Sequence, residues 1–276
     1  RTGSIRAAAH ELSITPSAMQ RRLQAFETEL GEPIFERLPN GVRLNAAGEL
    51  AIHHIRMQLS ETERLRSKIA DLSGIRRGHI SIGCSQALVP TFLPKYISDY
   101  RARFPEVTFS VTVLSHQEAE QALEEFSVDI AIVFDLQERP KFQVLLAVEQ
   151  SLMAIVSINN PLTQRKKVRL RECLEYPLVL PTDAFGGRQL LERAVTPLSL
   201  SLPPVIESNS FEFLISYILY ENAVTFQIPI GLLPELWGKG LVALPIDRRD
   251  IASGRIFVGQ RAGRILPVAC ARFADE

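Results

Sequence analysis

Apolar residues along this chain follow two rhythms, and the change from one to the other divides it. Up to Leu72 they recur at intervals of three and four, the spacing of one helical face; beyond Gly78 short apolar runs of strand length alternate with helical stretches. In the first part, SIRAAAHEL (Ser4 to Leu12) predicts a helix with Ile5, Ala8 and Leu12 on one face and Ser4 as its cap. The three residues SIT that follow are too few for anything but a tight turn, with Thr15 capping a second helix and Pro16 at its first position, where a missing N–H costs nothing. That helix runs from Pro16 to about Leu30, with Ala18, Met19, Leu23, Phe26 and Leu30 inside and Ser17, Gln20, Arg21 and Gln24 outside. Gly31 ends it. The PNG turn at Pro39 to Gly41 separates IFER from VRL and predicts a small hairpin carrying Arg37, Asn40 and Arg43. Asn45 caps a helix from Ala46 to about Leu72, roughly 40 Å long at about 1.5 Å per residue. Its stripe of Ile52, Ile55, Leu59, Thr62, Leu65, Ile69 and Leu72 calls for a partner, most simply the same helix of a second subunit, the alternative being its own chain.

GIRRG, Gly74 to Gly78, breaks the long helix. HISIGC, VTFSVTVL and VDIAIVF, separated by helical stretches near 93–103 and 119–126, then read as βαβαβ, a mostly parallel sheet covered on both faces. Further strands are expected at VLLAV, LMAIV, PLVLP, PVIES, AVTFQI and GRIFVG, and helices near 188–195 and 211–220. This is long for one sheet, and the polar break at Ser157 to Pro161 predicts two α/β lobes: the first over 76–157 plus 250–276, with GRIFVGQ returning to it, and the second over 158–249. Open parallel sheets bind small molecules beyond the carboxyl ends of their strands. Residues at such ends are Ser85 and Gln86, Phe134 with Asp135, the TDAFGG segment containing Phe185, and Thr225 with Gln227. Singly each reads as structural; around one cleft they form a ligand neighbourhood.

Composition narrows the chemistry. With 46% hydrophobic and 22% charged residues the 276-residue chain is an ordinary globular one, and a formal net charge of zero leaves no whole-body field for a polyanion. Nucleic-acid contact therefore requires a local face. The amino end of the second helix qualifies: small residues permit close approach, the helix dipole favours a phosphate, and Gln20 and Arg21 reach bases or backbone, while the bland alternative is a solvated arginine pair. Two helices joined so tightly, followed by a hairpin, form the unit whose second helix docks in a major groove. Cys84, Cys173 and Cys270 lack C-x-x-C spacing and read as buried thiols of a reducing compartment. The adjacent His53 and His54 point in different directions, His116 has no nucleophile partner, and Asp129 and Asp135 read as loop caps or ion-pair members. No metal, cofactor or catalytic residue is expected. No apolar run reaches the roughly 18 to 20 residues of a membrane span and no secretory segment is evident, so a cytoplasmic protein without membrane attachment is expected.

SIRAAAHELSITPSAMQRRLQAFETELGEPIFER followed by VRLNAAGE, Ser4 to Glu49, resembles the winged helix-turn-helix of the LysR-type transcriptional regulators. FLPKYISDYRARFPEVTFSV, VDIAIVF, NNPL and GRIFVGQRAGRILPVACARFADE are similar to that family's effector-binding domain, so the likeness covers nearly the whole chain. It implies a winged helix-turn-helix over 1–45, lacking the helix with which family members usually begin, a dimerisation linker helix over 46–73, and a two-lobed α/β effector domain of the periplasmic-binding-protein type over 76–276. It further implies a homodimer or homotetramer on double-stranded promoter DNA, responsive to a small-molecule effector and in contact with RNA polymerase. Thr15, Pro16, Ser17, Gln20, Arg21, Arg37, Asn40 and Arg43 fall at DNA-facing places, and Ser85, Gln86, Phe134, Phe185, Thr225 and Gln227 at effector-facing ones. Gln20 stands where serine is usual, which predicts altered base or phosphate reach; Asn45 for threonine and Phe26 for leucine are mild changes. Asn222 and Val224 replace two glycines, predicting a stiffer or differently shaped loop. The competing readings are a solute-binding module and a small-molecule enzyme built on the α/β part.

Overall fold

A computed structural model of the chain describes residues 3–72, 77–135, 141–198, 200–232 and 240–276, the side chains of 71, 72 and 198 excepted. Arg1 and Thr2 of the first module, residues 74–76 of the expected helix break, and the Leu72 side chain lie outside this description. The chain divides into two compact units, Arg1–Thr62 and Glu63–Glu276, the boundary falling within the long helix.

The first unit begins with α1 (Ile5–Glu11), whose cap Ser4 accepts a hydrogen bond from the Ala7 N–H. Ser13, at φ 54°, reverses the chain in the left-handed region, and the Ile14 N–H reaches back to the Ala9 carbonyl. Helix α2 (Pro16–Leu30) starts as its sequence predicts, with the Thr15 hydroxyl accepting from the Ala18 N–H and Pro16 in the first turn, and ends at Gly31 with φ 81°. Its stripe is only half covered within the described residues: Ala18, Met19, Leu23 and Phe26 are half-buried and Leu30 is exposed. Strands β1 (Phe35–Leu38) and β2 (Gly41–Leu44) form the hairpin, pairing Glu36 with Arg43. Gly41 sits at φ 146°, and a Cβ there would lie 2.2 Å from the Gly3 carbonyl oxygen, which accepts from the Val42 N–H. Asn45 joins hairpin to helix: its side-chain oxygen accepts from the Gly48 N–H and its side-chain nitrogen donates to the Pro33 carbonyl. Helix α3 (Ala46–Leu72) spans 27 residues, about 40 Å. Along it Leu59, Leu65 and Ile69 are each more than half exposed.

The second unit contains two lobes. In the first, β3 (Gly78–Cys84), α4 (Phe92–Arg103), β4 (Val107–Val113), α5 (His116–Glu124) and β5 (Ile130–Phe134) make the expected βαβαβ, with β3 parallel to both β4 and β5. α5 begins three residues earlier than its apolar pattern suggests, because Ser115 and Glu118 close a capping box. β6 (Phe142–Gln150) completes the lobe at the edge. The strand expected to end the first lobe, β7 (Met153–Ser157), belongs instead to the second, where it forms the centre of a three-stranded sheet. The chain therefore crosses at Ser151 and Leu152, and the polar residues from 157 onward form a surface turn. Within the second lobe lie α6 (Leu170–Cys173), β8 (Leu178–Pro181), α7 (Gly186–Val195), β9 (Pro204–Ser208), α8 (Phe211–Tyr217), β10 (Thr225–Gln227) and β11 (Leu241–Pro245). β10 and β11 flank β7, β8 pairs in parallel with β9, and a bridge between Leu178 and Val224 links the two ladders. β12 (Gly254–Arg261) returns to the first sheet, giving the order β4-β3-β5-β12-β6, and α9 (Val268–Asp275) packs its Phe273 among Tyr96, Tyr100 and Phe109. β11 and α9 carry no distinct signal in the apolar pattern.

The two lobe crossings lie side by side, with the Ser151 and Ser253 hydroxyls 2.8 Å apart. Nearby, the Asp250 carboxylate accepts two hydrogen bonds from Arg169 and one from the Leu170 N–H. These hold its pKa below the usual aspartate value, the Arg169 guanidinium foremost. The folded chain then binds a proton here less readily than the unfolded one, so the stabilisation is present above the unfolded carboxylate pKa and is lost as pH falls through the folded value. Asp250→Asn is expected to lower the urea midpoint at pH 7, and the gap from the parent to close in the acid range; an equal gap at both ends would show that Asp250 acts by packing alone. At the lobe junction, a Cβ on Gly186 would lie 2.1 Å from the Phe134 carbonyl oxygen. Gly186→Ala is expected to cost about 1–3 kcal/mol in denaturant unfolding by forcing α7 away from β5.

Candidate functional site

The first cluster of predicted residues is at the amino end of α2. Thr15, Pro16, Ser17, Gln20 and Arg21 are all exposed, and the first turn contains no acidic residue to offset the helix dipole. The Thr15 and Ser17 hydroxyls are 3.2 Å apart. Glu27, by contrast, sits toward the far end and accepts from the Ile34 N–H, securing the approach to the hairpin. The result is a helix terminus with an amide and a guanidinium on one surface and a dipole no acidic residue offsets, suited to phosphates and base edges.

The hairpin alters one expectation. Arg37 and Asn40 are exposed as predicted, but Arg43 is paired across the strands with Glu36 at 2.5 Å. Both side chains remain solvent-accessible, so the pair is weak and a phosphate competes with Glu36 for the guanidinium. The cross-strand register that creates this pair depends on the turn, which is why charge counting along the chain misses it.

The second cluster is in the two-lobed unit. Ser85 and Gln86 follow β3 as expected, but they open a single 3-10 turn, Gln86–Leu88, and not a longer helix. The Gln86 Oε1 accepts from the Phe211 N–H of α8 at 2.5 Å, tying one lobe to the other. Thr91 donates across the same gap to the Ile230 carbonyl. Asp135, at the end of β5 with φ 56°, forms an ion pair with Arg193 of α7. Asp129 is held by Arg264 and accepts from the Ser81 N–H, so each of the two acids is engaged by an arginine. His116 is buried beneath α7, where a Cβ on Gly186 would lie 2.6 Å from its ring.

Two hollows lie between these elements. The smaller, of about 20 Å³, is bordered by Ser85, Phe134, Phe185, Gly186, Gly187 and Gln227, and is large enough for a water molecule. The larger, of about 420 Å³, is bordered among others by Gln86, Phe211, Glu212, Ile215, Ser216 and Gln227. Phe211 and Gln227 face both. Five of the six predicted ligand residues therefore gather around this cleft; the sixth, Thr225, is buried in β10 opposite Ile155 and lines neither hollow. Sequence reasoning expected a helix from residue 211 but not its place at the cleft, which follows from long-range contacts: Phe211 packs against Phe185, with ring centroids 5.0 Å apart, and its N–H donates to Gln86. Asn222, one of the two departures from glycine, accepts a hydrogen bond from the buried Asn160 at 2.6 Å, and Val224 is fully buried between β8 and β10. Both substitutions are accommodated by contacts that glycine would lack.

The three cysteines are free and buried, and burial pushes the thiols of Cys84 and Cys173 up to about 11 and about 12 and that of Cys270 well above its usual value. They are protonated, unreactive core residues. Among the described residues no group of three His, Cys, Asp or Glu side chains is placed to hold a metal ion, and no helix is long and apolar enough to cross a membrane.

This chain is 26% identical over 214 residues to a probable nitrogen assimilation transcriptional activator of Synechococcus elongatus, covering 76% of this chain and 69% of that protein. Its fold is similar to that of a full-length, cysteine-substituted OxyR from Pseudomonas aeruginosa, with a TM-score of 0.73 and 16% identity over 98% of this chain and 88% of that one. It is also similar to full-length CbnR complexed with its target DNA, with a TM-score of 0.68 and 17% identity over 99% and 93% of the two chains. Residues 1–49 match the family profile described as "Bacterial regulatory helix-turn-helix protein, lysR family", and residues 73–276 match the "LysR substrate binding domain". Since these two profiles together span nearly the whole sequence in the order in which the helix-turn-helix and the two-lobed unit occur, the chain belongs to the LysR family of transcriptional regulators.

Proposed function

We propose that this protein reads promoter DNA in the cytoplasm through α2 and the β1–β2 hairpin, and that a small molecule bound between the lobes of its second unit changes that grip. The observation that carries the DNA reading is the amino end of α2: capped, free of acidic residues, and presenting Ser17, Gln20 and Arg21 together. Gln20 and Arg21 address base edges or backbone, Arg37 and Asn40 flank the duplex from the hairpin, and Arg43 joins them once released from Glu36. The protein acts by linked binding equilibria and not by catalysis: an effector shifts promoter occupancy only if it prefers one arrangement of the regulator over another. The cleft's polar groups, on elements from both lobes, supply such a preference, because closing or opening the gap makes or breaks the Gln86–Phe211 and Asp135–Arg193 contacts. The exposed row of Leu59, Leu65 and Ile69 on α3 supports self-association, as a dimer and from there a tetramer. Contact with RNA polymerase would follow at the promoter.

The test is a fluorescence titration of an operator duplex, selected from randomised sequences by the full chain, over a range of salt concentrations. Arg21→Ala should weaken binding and reduce the slope of log affinity against log salt by about one. Glu36→Ala should strengthen it by freeing Arg43, whereas Arg43→Ala should cost less than Arg21→Ala. If Arg21→Ala and Arg37→Ala both retain parental affinity and slope, this surface does not meet DNA. Replacing Leu59 and Ile69 together with glutamate is expected to yield a monomer in sedimentation velocity and, through loss of paired half-site binding, to reduce operator affinity.

A further inference from the structure

The larger hollow also restricts the kind of molecule it admits. Its lining is mainly apolar, with Val89, Pro90, Ile215, Leu219 and Leu241 contributing alongside Phe211. Two side-chain amides reach it, and their orientation is set by the main chain. The Phe211 N–H donates to Gln86 Oε1 at 2.5 Å, and the Ile228 N–H donates to Gln227 Oε1 at 3.0 Å. Because a backbone N–H must meet an oxygen, both amides present their Nε2 groups, as donors, to whatever else is near. Among the described residues neither Nε2 has a hydrogen-bond partner, and neither is sealed from solvent. A ligand that displaces water from the cleft must replace the acceptor that water supplies to each donor.

Charge decides what type of acceptor. Among the described residues no arginine or lysine borders either hollow, and the charged residue that lines the larger one is Glu212. Arg188, the buried cation of α7, is engaged by Glu192 and Glu207 and lines neither. A carboxylate brought here would lose water, find no counter-charge among the described lining residues and face a like charge.

We propose that the larger cavity holds an apolar ligand through a neutral carbonyl-type oxygen, that of an amide, ester, lactone or ketone, and discriminates against the matching carboxylate. This rests on the reading of the second unit as the effector-binding part, and it names the chemical class of that effector.

Calorimetric titration of the full chain with a matched pair, 3-phenylpropanamide and 3-phenylpropanoate, tests it. The amide should bind at least about ten-fold more tightly than the carboxylate. Glu212→Gln, which removes the negative charge at the rim of the cavity, should narrow the preference for the amide over the carboxylate by about three- to five-fold. Gln86→Glu, which keeps an oxygen for the Phe211 N–H while removing the donor, should weaken the amide about ten-fold. Ser216→Trp should abolish amide binding by filling the space. Equal or tighter binding of the carboxylate, absence of amide binding, or amide affinity indifferent to Gln86→Glu and Ser216→Trp would each overturn the proposal. Operator affinity measured with and without the amide reads a different question: an amide that binds but leaves operator affinity unmoved counts against the regulatory linkage and not against the ligand class.

Discussion

The two lobes of the second unit are joined by two chain crossings lying against each other, with the Ser151 and Ser253 hydroxyls in contact. This constrains everything that happens in the cleft. Beyond the adjacent crossings, the contacts of Gln86 with Phe211, Thr91 with Ile230 and Asp135 with Arg193 join the two lobes across the gap. Under the proposed function a ligand between the lobes competes with or reinforces those contacts, and the free energy available to it is the difference between two sets of inter-lobe interactions.

The first unit relies on a different set of interactions. Its helices are short and its apolar stripe is half covered, so the geometry of the reading surface depends on local backbone devices: Ser4 and Thr15 as caps, Ser13 and Gly31 in left-handed conformations, and Asn45 linking the hairpin to α3. Each satisfies main-chain groups that would otherwise be open at a helix end. Of the residues proposed to approach DNA, Thr15 caps α2 and Arg43 pairs with Glu36.

Charge is distributed accordingly. The molecule has no net charge, and its strongest ion pairs, Arg264 with Asp129 and Arg169 with Asp250, brace the lobes. The first turn of α2 holds no acidic residue, and Glu212 is the charged residue bordering the larger hollow among the described residues. The two proposed functions ask for opposite electrostatics, a polyanion at the first surface and a ligand without negative charge at the second.

Local chemistry alone settled a good deal about this protein. The caps, the turn at Ser13, the end at Gly31, the hairpin and the 27-residue helix are legible in the sequence because each is dictated by residues within a few positions of one another. The family resemblance and the βαβαβ pattern follow from the same short-range regularities, and so does the return of β12, whose apolar run needs a covered sheet. Tertiary structure decided the rest. Whether β7 pairs with the first sheet or the second, how α8 brings Phe211 to the cleft, why Thr225 faces away from it, and which arginine is occupied by Glu36 all depend on contacts between residues distant in the chain. A strand's apolar pattern records that it is buried on both faces but not which neighbours bury it, and an amide side chain records no direction until a backbone N–H from elsewhere in the fold takes its oxygen.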